Sequence, residues 1–159
     1  MEIERKFLVS QIPNLSQATG QKIIEQSYIS TSPVIRLRKS NDDHILTCKG
    51  KGLLAREEFE LTITKDEYDQ LIKKVEGNPI KKTRYLLPYN QYLIELDVFD
   101  DFLKGLVVAE VEFTSIADAE RFCPPSWFGT DVTQDGRYQN SQLTYLTGPN
   151  DIASMVPRK

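Results

Sequence analysis

Seven short stretches of this sequence carry two charged residues of one sign at positions i and i+2. They are Glu2/Glu4, Arg36/Arg38, Lys49/Lys51, Glu58/Glu60, Lys82/Arg84, Glu95/Asp97 and Glu110/Glu112, with Lys6 continuing the first. In an extended strand such positions point to the same side. The residues between them are mostly apolar (Ile3, Leu37, Phe59, Leu96 and Val111), with Gly50 and Thr83 the exceptions. Together the stretches hold seven cations and eight anions, 15 of the 43 charged residues. The plain reading of any one pair is the wet face of an antiparallel sheet. The whole set fits that reading less well. A wet face mixes Thr, Ser, Gln and Lys, and like charges on neighbouring same-face positions repel. Such pairs make sense when something of opposite sign lies between them. Carboxylate pairs suit a divalent cation. Arg and Lys pairs suit phosphate oxygens, Arg by its planar fork and Lys as a point charge. Both signs on one face point to a polyanion and a metal bound together.

Other chemistries are narrowed by what the chain lacks. Its single histidine, His44, follows Asn41-Asp42-Asp43 in what reads as a hairpin turn. A Ser-His-Asp hydrolase would have to use that residue, and a multi-histidine zinc site is excluded. A catalytic metal would therefore take oxygen ligands, which suits Mg²⁺ or Mn²⁺. Cys48 and Cys123 lie far apart without metal-type spacing and read as buried free thiols. A net charge of −3 argues against a general nucleic-acid coat. No apolar run approaches the ~20 residues of a membrane span. The opening Met1-Glu2-Ile3-Glu4-Arg5-Lys6 lacks the apolar core of a signal peptide, so a cytoplasmic location is expected.

The elements that must position these charges are mainly strands. At 159 residues, 40% hydrophobic and 27% charged, the chain reads as one soluble domain over 1–159. Period-two alternation predicts eight strands, at 2–9, 23–30, 34–39, 44–49, 56–63, 82–87, 92–98 and 106–114. Ser40-Asn41-Asp42-Asp43, Gly50-Lys51-Gly52 and Pro88-Tyr89-Asn90-Gln91 supply turns between several of them. Such short connections make the sheet mainly antiparallel. Thr64-Lys65-Asp66-Glu67 is a capping box for a helix carrying Tyr68, Leu71, Ile72 and Val75, ended by Gly77 and Pro79. Ser115 starts a second helix that stops at Pro124-Pro125, and a third begins near Asn140 and carries Leu143 and Leu146. Pro13 marks a turn or short helix after the first strand. The fold class is α+β, a large antiparallel sheet with peripheral helices. Eight strands can close into a barrel with a small interior. Periodicity does not decide whether the charged face points in or out.

The charged segments resemble, in order, those of the CYTH superfamily, the triphosphate tunnel metalloenzymes. Glu2-Ile3-Glu4-Arg5-Lys6 matches its ExExK motif. Arg36-Leu37-Arg38, Lys49-Gly50, Glu58-Phe59-Glu60, Lys82-Thr83-Arg84-Tyr85, Glu95-Leu96-Asp97 and Glu110-Val111-Glu112 follow, and the match ends with the stretch from Asp131 to Asn140. It spans residue 2 to about 146, nearly the whole chain. Gln26-Ser27-Tyr28-Ile29 is similar to the QGYL segment of the short bacterial tripolyphosphatases, with Ser for Gly. Pro124-Pro125-Ser126-Trp127-Phe128-Gly129 also looks like that subgroup; Trp127 and Phe128 read as packing under a loop rather than substrate contacts.

The resemblance implies an eight-stranded antiparallel β-barrel, a tunnel with its charges inside, acting on a small-molecule triphosphate with Mg²⁺ or Mn²⁺. It implies neither a nucleic-acid nor a membrane partner, and a homodimer is possible. Lys6, Arg36, Arg38, Lys49, Lys82 and Arg84 are expected on the phosphates. Arg137 is expected either at the tunnel mouth with them or capping a surface, and Lys51 falls in a Gly-Lys-Gly turn. Glu2, Glu4, Glu110 and Glu112 are expected on the principal metal, with Glu58, Glu60 and Asp97 on a second metal or pairing the cations. Tyr28 is the candidate base, with Lys6 the preferred ammonium beside it and Lys82 the alternative. Its plain reading is a tyrosine that hydrogen-bonds substrate. The leading activity is hydrolysis of tripolyphosphate to pyrophosphate and phosphate. The alternatives are an adenylyl cyclase making cyclic AMP, a thiamine triphosphatase, and a non-enzymatic polyphosphate or nucleotide module. The carboxylate pairs argue against the last, since binding alone needs only the cations.

Overall fold

Alternation becomes a hydrogen-bonded ladder that runs nearly full circle. The computed structural model describes residues 1–156. Its strands are β1 (Glu2–Val9), β2 (Gly20–Thr31), β3 (Val34–Ser40), β4 (Asp43–Lys49), β5 (Ala55–Arg56), β6 (Glu58–Ile63), β7 (Glu76–Tyr89), β8 (Tyr92–Phe99), β9 (Val107–Glu112) and β10 (Phe128–Asp131). The helices are α1 (Lys65–Leu71), α2 (Ile116–Arg121), α3 (Asn140–Leu143) and α4 (Pro149–Ala153). The order in the sheet is β10-β1-β9-β8-β7-β2-β3-β4-β6, every pairing antiparallel, and β5 returns to pair with β1. β5 and β6 are separated by Glu57 alone. The stretch 55–63 thus lies against β4 at its far end and against β1 at its start, which brings the sheet round on itself.

The expected count of eight strands is corrected to ten. The strand expected at 56–63 divides at Glu57, whose carbonyl accepts from Gly50 N–H at 2.8 Å while Arg56 has already crossed to Glu2. The tenth, β10, arises where the sequence reads as loop. Phe128 packs its ring 4.7 Å from that of Phe7, and Asp131 pairs with Phe7 on the ladder. Phe128 is buried and Trp127 packs against the same cluster, the packing role expected of both.

Helix ends also moved. α1 starts on the expected capping box, Thr64 Oγ1 accepting from Glu67 N–H and Glu67 reaching back to Thr64 N–H. It is shorter than expected, because Ile72–Lys74 tightens into a 3-10 turn. Gly77 and Pro79 then fall inside β7 rather than after the helix. They form a bulge: β2 goes from Gln26 to Tyr28 while β7 goes from Ile80 to Glu76. Bulges are where a strand tolerates proline and a left-handed glycine. α3 ends at Leu143, before Leu146, and α4 is an element that the sequence reading lacked. His44 lies in β4, just past the Asn41-Asp42 turn, with its ring 5.0 Å from that of Tyr68. Both cysteines are free, but neither is buried: Cys48 is half-buried and Cys123 exposed.

The apolar face of the wall points outward and the helices cover much of it. Phe7, Leu96, Ala109 and Val111 pack under Ala119 and Phe122. Leu37 and Ile63 pack under Tyr68 with Leu71 and Ile72. Phe59 and Leu61 on β6 stay uncovered, at 61% and 48% exposure. Inside, one end is filled by inward apolar residues, Leu8, Tyr28, Ile80, Phe99 and Val108, against Leu143, Ile152 and Met155. The charged face encloses the other part of the interior. Among the described residues no helix is long and apolar enough to cross a membrane.

The β7 bulge is clasped from the C-terminal side, Asn78 N–H donating to Thr144 O at 2.7 Å. Gly77 has φ +72°, and a Cβ there would lie 2.8 Å from Thr144 Oγ1 and 2.9 Å from Thr144 O. Gly77→Ala is expected to lower unfolding free energy by about 2 kcal/mol or more, from left-handed strain plus this clash. Urea denaturation measures it, as a lower midpoint at unchanged slope; an unchanged midpoint would contradict the clasp.

Candidate active site

The charged face lines an interior cavity of about 370 Å³. Strand parity explains its composition. β1 contributes Glu2, Glu4 and Lys6; β3 contributes Arg36 and Arg38; β4, Lys49; β6, Glu58 and Glu60; β7, Lys82 and Arg84; β8, Glu95; β9, Glu110 and Glu112. Tyr28 joins them from β2. The ladder loses register on both sides of Tyr28, against β7 between Gln26 and Tyr28 and against β3 between Tyr28 and Ser30. A doubly bulged position re-aims its side chain relative to its neighbours.

Most of the cations are already paired. Arg84 donates to Asp97 at 2.7 and 2.9 Å and to Glu95 at 2.7 Å, and lies 3.5 Å from Glu110. Lys82 is 2.8 Å from Asp97. Lys6 is 3.5 Å from Glu110 and donates to Tyr138 O at 3.1 Å. Lys49 bridges Glu2 at 3.0 Å and Glu58 at 3.6 Å. Burial pulls the Lys82 ammonium down to about 7, with Asp97 opposing it. Burial would raise Glu110, but Lys6, then Arg84 and Lys82, hold it well below the usual carboxylate range.

Two cations stand differently. Among the described residues, Arg36 has only Glu60 at 3.9 Å and Thr47 Oγ1 at 3.2 Å, and its Nε is buried without a partner. Arg38 gives its guanidinium to a neutral atom, Gln26 Oε1, at 2.8 and 3.0 Å. Burial first, then Arg36 and Arg84 beside it, pull Arg38 below its ordinary value. A cationic pair lacking close carboxylates is where an incoming anion gains most.

The carboxylates show the opposite imbalance. Oxygens of Glu2, Glu4 and Glu112 all lie within 4.8 Å of one another. Burial, then the Glu110 charge, pushes Glu4 up to about 7. Burial, as the largest cause, also raises Glu2 and Glu112. Three crowded carboxylates of hard oxygen donors fit a divalent cation of the Mg²⁺ or Mn²⁺ kind.

Not every expected residue belongs. Asp97 lies behind the cavity wall, fully buried between Lys82 and Arg84, so it supports cations rather than facing a metal. Glu110 faces the cavity but is shared by Lys6 and Arg84. Glu60 is half exposed beside Arg36. Arg137 is outside the cavity, its side chain 66% exposed and paired with Asp135 at 2.7 Å, so the surface-cap reading is the one its position supports. Lys51 lies exposed in its turn, away from the cavity.

Others join that the sequence reading did not assign. Arg56 lines the cavity and lies 3.4 Å from Glu2; its parity with Glu58 and Glu60 was the available signal. Lys22 shares parity with Tyr28. Asn140, at the start of α3, accepts from Lys82 Nζ at 3.0 Å and from Gln26 Nε2 at 3.0 Å. Gln26 Nε2 also donates to Tyr28 OH at 3.1 Å. These contacts link Tyr28 to Lys82, while the Lys6 ammonium is engaged by Tyr138 O and Glu110.

With this geometry in hand, likeness to known proteins is informative. A sequence model of the CYTH domain matches residues 1–133. The chain is 42% identical over 147 residues to an inorganic triphosphatase of Nitrosomonas europaea, spanning 89% of this chain and 95% of that protein. It is 36% identical over 146 residues to an inorganic triphosphatase of Acetivibrio thermocellus, spanning 89% and 92%. A crystal structure of an inorganic triphosphatase superposes with TM-score 0.70 at 35% identity, covering 94% of this chain and 97% of that one.

The raised Glu4 carboxyl has a measurable consequence. Its folded-state value of about 7 exceeds its ordinary 4.5, so the folded protein keeps that proton longer than the unfolded chain does. Stability from this group is full below pH 4.5 and is lost as pH rises towards 7. In metal-free protein, Glu4→Gln is expected to be about 1–2 kcal/mol more stable than wild type at pH 8 and nearly equal at pH 5. Urea unfolding with chelator at both pH values measures this; a variant no more stable at pH 8 would show that Glu4 is not under like-charge stress.

Proposed function

This chain belongs to the CYTH domain family, and from that premise we propose that it hydrolyses inorganic tripolyphosphate to pyrophosphate and phosphate. The observation that carries the reading is the cavity wall itself. Eight inward cations surround a space bordered by three crowded carboxylates. The apolar side chains on that wall are Ile24, Val34 and Ile45, with Tyr28 the aromatic. Such a wall suits a bare chain of phosphates better than a nucleoside, which favours the phosphatase over a cyclase. The relatives named inorganic triphosphatase support the same choice.

Tripolyphosphate repels a water nucleophile by its own charge, so catalysis needs neutralisation, alignment and proton removal. Arg36 and Arg38, least neutralised by carboxylates, take phosphate oxygens first. Lys6, Lys49, Lys82 and Arg84 complete the grip from the remaining strands. Glu2, Glu4 and Glu112 would hold a divalent ion, Mg²⁺ or Mn²⁺, which when bound would neutralise phosphate oxygens and lower the charge on the group under attack. Glu110 and Asp97 keep Lys6, Lys82 and Arg84 aimed. Water attacks the terminal phosphorus, a new P–O bond forms and the bridging P–O bond breaks. The water proton passes to the phenolate oxygen of Tyr28, and pyrophosphate leaves with the bonding electrons. Arg36, Arg38 and Lys82 line the same cavity as the Tyr28 phenol.

Protein incubated with Mg²⁺ is expected to release orthophosphate and pyrophosphate from tripolyphosphate, and to lose this activity with chelator. Phosphorus NMR resolves the products, and cyclic AMP plus pyrophosphate from ATP would make the chain a cyclase instead. Tyr28→Phe is expected to keep KM and lose about 10²–10⁴-fold in kcat, the usual reach of a general base. Unchanged kcat would remove Tyr28 from the proton transfer.

A further inference from the structure

Gln26 is fully buried in the middle of β2 and does not border the cavity. Its amide is nonetheless the junction of the polar network behind that wall. A glutamine side chain offers two N–H donors and two acceptor lone pairs. All four are used: Oε1 accepts from Arg38 Nε at 3.0 Å and Nη2 at 2.8 Å, and Nε2 donates to Tyr28 OH at 3.1 Å and Asn140 Oδ1 at 3.0 Å. Gln26 has nothing left for a substrate, so any part it plays runs through its partners.

Chemistry alone sets the direction of this network. Arg38 can only donate, so the glutamine oxygen must face it. The nitrogen therefore faces Tyr28 and Asn140. Asn140 turns its own oxygen to this side, where Lys82 Nζ, held against Asp97 at 2.8 Å, donates to it at 3.0 Å. The Tyr28 oxygen consequently receives a hydrogen bond from Gln26, and its own proton must point elsewhere, away from Gln26. When that proton is gone, the same N–H remains aimed at the phenolate.

We infer that Gln26 is a positioning residue for Tyr28: held by Arg38 and Asn140, it donates to the phenol oxygen, turns the phenol proton away from itself and supports the phenolate that accepts the water proton. This rests on the reading of Tyr28 as the base. It gives Arg38 a second task besides gripping phosphate, because the guanidinium fixes which end of the Gln26 amide meets Tyr28.

Gln26→Glu is the sharpest test. It preserves shape and the contact with Arg38, but presents an acceptor to Tyr28 where a donor stood. The expected result is a kcat at least about 10-fold lower, a loss realised in the transition state, beside a higher KM for tripolyphosphate because the new carboxylate neutralises Arg38. In a Tyr28→Phe background the same change is expected to cost less than about twofold more, because the two residues act as one unit. Losses that multiply would overturn the inference while leaving Tyr28 as the base. A rise in KM at constant kcat would also overturn it, assigning Gln26 to Arg38 and phosphate binding instead. Wild-type kcat in Tyr28→Phe alone would overturn the base reading, and the inference with it. Gln26→Met, uncharged and of similar volume, gives the same comparison should the buried carboxylate unfold the chain; it too is expected to lose kcat only where Tyr28 is present.

Discussion

A charge carried into a protein interior gives up its hydration, at an effective cost of roughly several kcal/mol per ion. This barrel encloses Lys6, Arg36, Arg38, Lys49, Lys82 and Arg84 in one cavity, so their mutual neutralisation with carboxylates is the constraint on which the structure depends. Asp97 shows how it is met. It is fully buried and anchors Lys82 and Arg84 from behind, freeing the wall for side chains that face the cavity. The apolar residues alternating with these charges then have only the outside left. α1 and α2 follow from that, because an outward apolar face needs cover.

The neutralisation is uneven, and the unevenness is what makes the cavity useful. Cation excess gathers at Arg36 and Arg38, and carboxylate excess at Glu4 and Glu112, beside a Glu2 that Lys49 and Arg56 already pair. Elsewhere the signs meet within 3.6 Å or less, as at Arg84–Glu95 and Lys49–Glu58. An anion and a cation arriving together relieve both excesses at once. Either one alone relieves half and must compete with pairs already made.

What the sequence disclosed was parity. Charged pairs at i and i+2 marked the inner face strand by strand, and six phosphate-binding candidates do line one cavity. Parity cannot tell inside from outside; the resemblance decided it, and burial of Leu37, Leu96 and Val111 on the other face agrees. Features created only by tertiary contact stayed hidden. β10 exists because Phe128 lands on Phe7, and the break between β5 and β6 exists because Glu57 bonds Gly50 while Arg56 pairs with Glu2. Gly77 and Pro79 carry the same local chemistry whether they end a helix or build a bulge, and the clasp from Thr144 decided it. Asp97 matched its pair by spacing, yet it lies behind the cavity wall, pairing with Lys82 and Arg84. Gln26 carries no charge, so a search for charged chemistry passed over the junction that ties Arg38, Tyr28 and Asn140 together.

The wall has a short buckle. β1 meets β9 over five residue pairs, but β5 meets β1 over two, Glu2 with Arg56 and Ile3 with Ala55, helped by Glu4 N–H donating to Leu54 O at 3.0 Å. A hoop is weakest where it is fastened by the fewest links, and around this barrel that place is between β1 and β5. Glu2 sits on that join, two residues from Glu4, which pairs with Glu112 on β9. An ion held by those three carboxylates would tie β1 to β9, so it would steady the edge to which β5 is fastened without adding a link to β5 itself.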